Sequence, residues 1–376
     1  MKFVHWLAAC VLTTLVLAGL IAVGPGNTAS LQKLSWITGY WYSPPVWGGL
    51  PVDDIDYSAL THIIHFALQP RSDGSLDPER LKHISDYAPD LVRVAHQNGV
   101  KVLVSIAQAD PGADFISATS DTALPRLVTG VMDVVQRYGY DGVDLDWETQ
   151  VDAQRYVNLV YQLRSRLDGM TPRGLLTGSF WESGQGLIQS QGAFDQINVM
   201  AYDLCSPSEG FSWHNSALFD GGDGRRRTAD WRLKHFLPVI PSSKLGLGIP
   251  FYGYVWWSQS DSGRVTGPGQ GLSANPDVYF LSYRDIVGDE ELWRNEHKYR
   301  DEAAGRVPFL TIQPREPRRA DFVTYDDEIS LTEKVHYARS RGLGGVMIWE
   351  LSGDYFPRGS PRHPLLQAVK AASGRP

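Results

Sequence analysis

Eight short apolar runs, each able to form a strand, recur along this chain with amphipathic stretches between them. That alternation restricts the fold more than any other feature. The runs are WITGYW (36–41), THIIHFAL (61–68), KVLVSIA (101–107), YDGVDLDW (140–147), GLLTGSF (174–180), DQINVMAY (195–202), KLGLGIPFY (244–252) and GGVMIWEL (344–351). Helical periodicity is evident at 77–99, 125–139, 152–167 and 330–342. The last of these has Ser330 at the expected N-cap, Glu333 at the capping-box position and Gly342 at the C-terminal stop. Several runs are continuous in Val, Ile and Leu, as parallel strands covered on both faces require. The expected fold is therefore an α/β (β/α)8 TIM barrel. A doubly wound open sheet is the alternative, but no GxGxxG opens a helix after the first run. Residues 253–343 separate the last two runs. Within them 255–325 mixes loop-like segments with short strands, predicting a small α+β insertion between strands seven and eight.

The chain begins with one Lys ahead of an apolar stretch, Trp6–Val23, followed by small and polar residues. Residues 1–29 read as a secretory signal peptide, with an uncleaved membrane anchor as the alternative, and residues 30–376 as the catalytic domain. A secreted or cell-envelope location follows. LAAC at 7–10 has the look of a lipobox, but Cys10 stands at the start of the apolar stretch, where lipidation needs it at the end. Without the leader, Cys205 is the only cysteine and no intramolecular disulfide can form, so the core must carry the fold. The net charge of −7 argues against a nucleic-acid partner. Arg225–Arg226–Arg227 sits in a Gly- and Asp-rich loop and reads as a solvated turn. His62 and His65 fall on opposite faces of their strand, which suits packing better than a zinc pair. No cofactor or metal and no obligate protein partner is expected, and a monomer is the expected state.

One run breaks the apolar rule. Within GYDGVDLDWET (139–149), Asp141, Asp144, Asp146 and Glu148 interrupt Val143, Leu145 and Trp147. On a strand, side chains alternate, so Asp144, Asp146 and Glu148 share one face and Val143, Leu145 and Trp147 take the other. In a barrel the apolar set suits the helix layer, which turns the carboxylates inward. Residues two apart lie about 7 Å apart, close enough for mutual repulsion, and burial adds to it, so at least one pKa must rise. A carboxyl that keeps its proton beside an ionised one is a general acid. Glu148 lies nearest the C-terminal end of the strand, where barrel active sites open, and is assigned as that acid, with Asp144 and Asp146 as its modulators. A calcium loop is a poor fit, because Gly142 stands at the wrong position and hydrophobic residues interleave with the acids.

DGVDLDWE resembles the DxxDxDxE signature of glycoside hydrolase family 18, the chitinases and their relatives. Further segments are similar to the family along most of the mature chain: KVLVSI (101–106), QINVMAYD (196–203), WHNSALF (213–219), GIPFYG (248–253), FVTYDDE (322–328) and GGVMIWELSGD (344–354). The resemblance implies a glycosidase acting beside N-acetylglucosamine and using the substrate's own acetamido group as nucleophile. By that correspondence Glu148 is the acid/base and Asp146 orients the acetamido N–H. Asp144 shares a proton with Asp146, and Tyr202 donates to the acetamido carbonyl. Asp203 contacts the distorted sugar and Trp349 lies beneath it, with Met200 in the same motif as Tyr202. Tyr40, Phe66 and Trp147 are expected sugar contacts, and Asp141 and Ser105 supporting residues. Twelve Trp and 17 Tyr supply many rings of the kind that pack on sugar faces. The expected partner is an N-acetylglucosamine polysaccharide, chitin first, then peptidoglycan or N-glycan cores. A sugar-binding protein without activity ranks lower, because Asp144, Asp146, Glu148 and Tyr202 are all present. Three departures from the pattern stand out: Ala107–Gln108 in place of a Gly–Gly pair, Tyr254 where Arg is usual, and Leu204–Cys205 at the cleft mouth.

Overall fold

The computed structural model describes residues 32–375 apart from 43, 45–48, 109–112, 223, 225, 226, 259–262, 274 and 314–319. The expected leader and Arg225–Arg226 lie outside the described residues. In chain order the elements run β1 (Trp36–Tyr42), β2 (His62–Leu68), α1 (Pro78–Gln97), β3 (Lys101–Ala107), α2 (Phe115–Ala118), α3 (Leu124–Tyr138), β4 (Gly142–Asp146), α4 (Ala153–Asp168), β5 (Leu175–Phe180), α5 (Gln185–Ser190), β6 (Gln196–Val199), α6 (Ala229–Phe236) and β7 (Leu245–Pro250). Then come β8 (Tyr252–Trp257), β9 (Asp277–Ser282), α7 (Tyr283–Gly288), β10 (Lys298–Asp301), β11 (Val307–Thr311), β12 (Phe322–Thr324), α8 (Glu328–Ser340), β13 (Gly345–Trp349) and α9 (Pro364–Ala372).

Closure is read from β1, which pairs in parallel with β2 through Thr38 and His62 and with β13 through Trp36 and Gly345. The sheet order β1-β13-β7-β6-β5-β4-β3-β2 is therefore a closed eight-stranded parallel barrel, and the open-sheet alternative is excluded. β8 to β12 form a second, antiparallel sheet in the order β10-β11-β12-β8-β9. It starts at Tyr252, within the seventh apolar run, rather than at 255, because Tyr252 pairs with Ser282 of β9 and not with a barrel strand.

Between strands and helices lies the main core. Val143 and Leu145 of β4 belong to it with Leu127, Val131 and Val135 of α3 and Leu159 and Leu163 of α4, all fully buried. Each fully buried side chain of this size contributes roughly 1.5–3 kcal/mol relative to exposure. Local chemistry sets the helix ends. Asp77 accepts from the Glu79 and Arg80 amides and Pro78 occupies the first turn, whereas Gly139, at φ +74°, stops α3.

The start of α8 differs from the sequence expectation. Its N-cap is Asp327, whose carboxylate accepts from the Ile329 and Ser330 amides at 3.1 and 2.9 Å. Ser330 instead closes the box from the third position, its hydroxyl accepting from the Asp327 amide at 3.0 Å. Glu333 lies beyond the box and pairs with Arg306 at 3.1 Å. Asp326, next to the cap, is buried against Lys334, with N–O distances of 2.7 and 2.6 Å and side-chain exposures of 0% for Lys334 and 1% for Asp326. Ser216 accepts a further bond from Lys334 at 2.8 Å. Removing one member of such a pair strands the other charge in the core. Asp326→Ala should therefore lower unfolding free energy by about 3–5 kcal/mol in urea titrations, whereas an Asp326→Leu/Lys334→Met double variant should recover most of the loss. Equal stability for the single variant and the parent would show that the pair is not what anchors α8.

Candidate active site

Barrel loops at the C-terminal ends of the strands surround a cavity of about 130 Å³ lined by Tyr40, Asp146, Glu148, Ser179, Trp181, Met200, Tyr202, Asp203 and Trp349. β4 feeds three carboxylates toward it in steps of two residues. Asp144 is deepest and fully buried, Asp146 is 3% exposed, and Glu148 stands at the exposed rim.

Each carboxylate has a different environment. Asp144 accepts hydrogen bonds from three hydroxyls: Tyr40 at 2.7 Å, Ser105 at 3.1 Å and Thr177 at 2.6 Å. Burial raises its pKa and these three donors pull it partly back. Asp146 lacks such help, and its Oδ1 is buried without a hydrogen-bond partner. Burial, then Glu148, then Asp144 push its carboxyl well above the usual carboxylate range. Glu148 accepts from the Trp181 indole N–H at 2.8 Å. Its pKa is raised by burial of the carboxyl in the cleft wall and by Asp203, against the opposing Trp181 bond.

Opposite β4, the segment after β6 supplies Tyr202 and Asp203. Gly248 makes room for Tyr202, since a Cβ there would lie 3.0 Å from the phenol ring and 2.5 Å from the Val199 carbonyl. The Tyr202 hydroxyl rests on the Met347 sulfur at 3.8 Å, a weak acceptor that a stronger one can replace at little cost. Asp203 adopts φ +52°, a left-handed conformation. Asn215 holds it there, accepting from the Asp203 amide at 2.8 Å while donating to the Tyr252 carbonyl at 3.2 Å. Tyr252 and Tyr254 both donate to the Asp203 carboxylate, yet burial still raises its pKa.

Several expected site residues have specific places. Trp349 is partly buried, with Tyr40 5.0 Å and Phe66 5.1 Å from it between ring centroids. Phe66 is 4% exposed in this aromatic cluster, and Met200 lines the cavity. Tyr40 is fully buried, and its hydroxyl also meets Ser179 at 2.6 Å, so its polar end is committed to the floor. Asp141 lies away from the cleft, where it accepts from the Val102 amide and pairs with His96, both at 2.8 Å. Trp147 does not face the catalytic cavity. It follows the pleat of β4 to the helix side, stacked on Phe115 at 4.8 Å and 15°. Thr177, Ser179, Trp181 and Tyr252 were not anticipated. Thr177 and Ser179 sit at inward positions of β5 and were legible from its period of two. Trp181 follows β5 directly and carries no motif.

The comparisons with known proteins fit this geometry. A family model, Glycosyl hydrolases family 18, matches residues 37–354. The chain belongs to this family. It is 29% identical over 353 residues to mouse (Mus musculus) chitotriosidase-1, covering 84% of this chain and 72% of that one. To chitinase A1 of Niallia circulans it is 30% identical over 280 residues, covering 63% of this chain but 38% of that longer protein. Among solved structures, the Ostrinia furnacalis group IV chitinase superposes with a TM-score of 0.75 at 21% identity, covering 91% of this chain and all of that one (100%). A Cycas revoluta family 18 chitinase in complex with (GlcNAc)3 gives 0.72 at 24% identity, covering 90% of this chain and 100% of that one. At these identities the two structures speak for the fold alone.

Two departures from the family pattern have definite roles. The Gln108 amide donates to the Asp146 carbonyl at 3.0 Å, and its side chain accepts from the Thr149 amide at 3.1 Å, tying the β3 loop to the segment that carries Glu148. Cys205 packs partly buried beside Trp213 and Trp256, where burial pushes its thiol up.

The cage around Asp144 leads to a direct expectation. Tyr40→Phe keeps the ring and removes one donor to a buried carboxylate, which should cost about 1.5–3 kcal/mol in chemical denaturation. It should also move the Asp144 titration, followed by carbon-13 NMR of the carboxyl, to higher pH. An unchanged titration would mean that Tyr40 contributes only its ring.

Proposed function

We propose that this protein is a secreted retaining glycosidase that cleaves β-1,4 linkages next to N-acetylglucosamine, in chitin or its oligomers, with the substrate's acetamido group as nucleophile. The observation that carries the reading is the carboxylate series on β4, caged at Asp144, orphaned at Asp146 and poised at the rim at Glu148. Family membership supports glycoside hydrolysis. The names of the relatives, chitinases from animals, plants and bacteria, support chitin as substrate. Secretion rests on the leader-like residues 1–29 alone.

The chemistry follows from the protonation states. Glu148, with its raised pKa, donates its proton to the glycosidic oxygen as the bond breaks. The acetamido carbonyl oxygen attacks the anomeric carbon, with Tyr202 free to donate to that carbonyl once it leaves the Met347 sulfur. The acetamido N–H needs an acceptor, and the unpartnered Oδ1 of Asp146 offers one. An N–H donor favours the ionised form of Asp146, so its proton moves toward Asp144, which burial has made more basic. The positive oxazolinium ion then lies beside a carboxylate in a poorly solvated cavity, where such stabilisation is strongest. Glu148, now ionised, takes a proton from the incoming water. Two inversions retain the configuration.

The deciding experiment uses N-acetylglucosamine oligomers of several lengths, the parent and Glu148→Gln, with products followed by proton NMR. The expected outcome is β-anomeric product from the parent and a rate at least about 100-fold lower in the variant. An initial α-anomer would rule out retention. Binding by both proteins with turnover by neither would move the assignment to a sugar-binding protein. Absence of both would move it to peptidoglycan or N-glycan cores.

pH gives a further expectation. Glu148 acts in its protonated form, and burial raises its pKa, so kcat/KM should fall only as pH rises through that elevated value. The fall should come above the ordinary carboxylate range of about 4–4.5. A basic limb lying within that ordinary range would contradict the assignment of Glu148 as the acid.

A further inference from the structure

Glu148 is at the rim of the cleft, yet a general acid must present its proton in one direction. Its carboxyl is held by the Trp181 indole N–H at 2.8 Å, on Oε2. An indole nitrogen can only donate. An oxygen that accepts from it is a poor place for the acid's own proton, so the proton is directed to Oε1. The bond thus does more than restrain the side chain, because it selects the oxygen that delivers.

Trp181 is itself held by a residue far along the chain. Arg232, on α6, donates from Nη1 to the Trp181 carbonyl at 2.6 Å, and its guanidinium carbon lies 5.4 Å from the centre of the Trp181 ring. Arg232 is partly buried and its Nε has no hydrogen-bond partner, a poor arrangement for a cation placed only for solubility. Among the described residues it enters no ion pair, and it also lies 5.4 Å from the Trp231 ring. A guanidinium over an indole face is attracted to the ring's electron density. Tyr202 packs on the same indole in a T-shaped contact, with 6.0 Å between ring centroids. Trp181 is therefore held at its backbone carbonyl by Arg232 and at its ring by Arg232 and Tyr202.

The cavities add a reason for the ring to stay there. Beside the catalytic cavity is a second chamber of about 190 Å³, with Tyr156, Phe180 and Leu187 among its lining residues. Glu148 and Trp181 line both chambers. The acid and the indole share the partition with Ser179 and Met200, which also line both chambers. The Trp181 N–H is the hydrogen bond that holds the Glu148 carboxyl between them.

We infer that Trp181 is the positioning residue of the acid: its indole N–H holds the Glu148 carboxyl in the orientation that delivers the proton, and Arg232 holds the indole. This rests on Glu148 being the acid, as proposed above. The titratable groups facing Glu148 are Asp146 from β4 and Tyr202 and Asp203 from the segment after β6. A Trp181→Phe variant substitutes none of them, keeps a ring at the partition and loses the N–H.

The test is the pH profile of kcat/KM on an N-acetylglucosamine oligomer for the parent, Trp181→Phe, Arg232→Lys and Glu148→Gln. A donor that binds the carboxylate favours ionisation, so its loss must move the basic limb to higher pH, by about half to one unit in Trp181→Phe. Its kcat at the optimum should fall about 10-fold, with KM changed much less. Arg232→Lys keeps the charge but loses the planar fork, and should show the same shift with smaller size. A purely structural role would lower the melting temperature or the active fraction and leave the limb in place. A basic limb in Trp181→Phe that coincides with the parent's overturns the inference. Should Trp181→Phe fail to fold, a parental profile in Arg232→Lys overturns it equally. Activity surviving in Glu148→Gln would instead sink the acid assignment, an outcome distinct from either.

Discussion

A carboxylate at the centre of a closed barrel is the constraint on which the rest of this molecule depends. Moving an isolated charge out of water costs several kcal/mol after relaxation, and Asp144 is fully buried. What makes it tolerable is a set of three hydroxyls from Tyr40 on β1, Ser105 on β3 and Thr177 on β5. Hydrogen bonds to a charged group contribute about 1.5–3 kcal/mol each, so three are of the size needed. The donors come from both sides of β4 and from across the barrel, because β1 is not a neighbour of β4. They converge only when the sheet closes. Barrel closure and the protonation pattern of the site are thus one event.

From that anchor the satisfaction of polar groups declines toward the cleft. Asp144 is surrounded, Asp146 leaves Oδ1 without a partner, and Glu148 has a single indole donor. A folded chain would ordinarily fill such a vacancy, since an unpaired buried polar atom costs stability. Here the vacancy belongs to a residue that lines the cavity. The opposite wall is built with comparable care. The segment His214–Asn215–Ser216 joins barrel and insertion: His214 meets Thr324 at 3.0 Å and Asp301 at 3.2 Å, and Asn215 fixes the left-handed Asp203. The first strand of the insertion also supplies the tyrosines that donate to Asp203.

Much of this was legible in the sequence, and the limits of legibility are physical. Period two on GVDLD put Asp144 and Asp146 inside and Val143 and Leu145 outside, because a half-polar strand in a barrel has only one acceptable orientation. The same rule places Trp147 on the helix side, and its nearness in sequence to Glu148 says nothing of the cleft. The start of α8 was ambiguous locally, since Asp327 and Ser330 are both good caps. The buried bond from Lys334 takes Asp326 and leaves Asp327 to cap, a tertiary fact that no short window contains. Tyr40 was visible as a ring near the site, but the destination of its hydroxyl depends on a partner more than a hundred positions away. Trp181 gave no signal, since its meaning comes from Glu148 on one side and Arg232 on the other.

The departures from the family pattern fit this picture. Where close glycines would leave the loop after β3 free, Gln108 ties it to the Asp146 carbonyl and to the Thr149 amide. The segment carrying Glu148 is then restrained from the β3 side by Gln108 and from the β5 side by Trp181. Where an arginine would place a positive charge, Tyr254 offers Asp203 a neutral hydroxyl, and burial dominates the balance. A cation there would favour ionised carboxylates throughout the cavity. Burial raises the pKa of Asp144, Asp146, Glu148 and Asp203 alike. Burial is the largest cause at each of them, so the four carboxyls share one direction of shift even though hydrogen bonds oppose it at Asp144, Glu148 and Asp203.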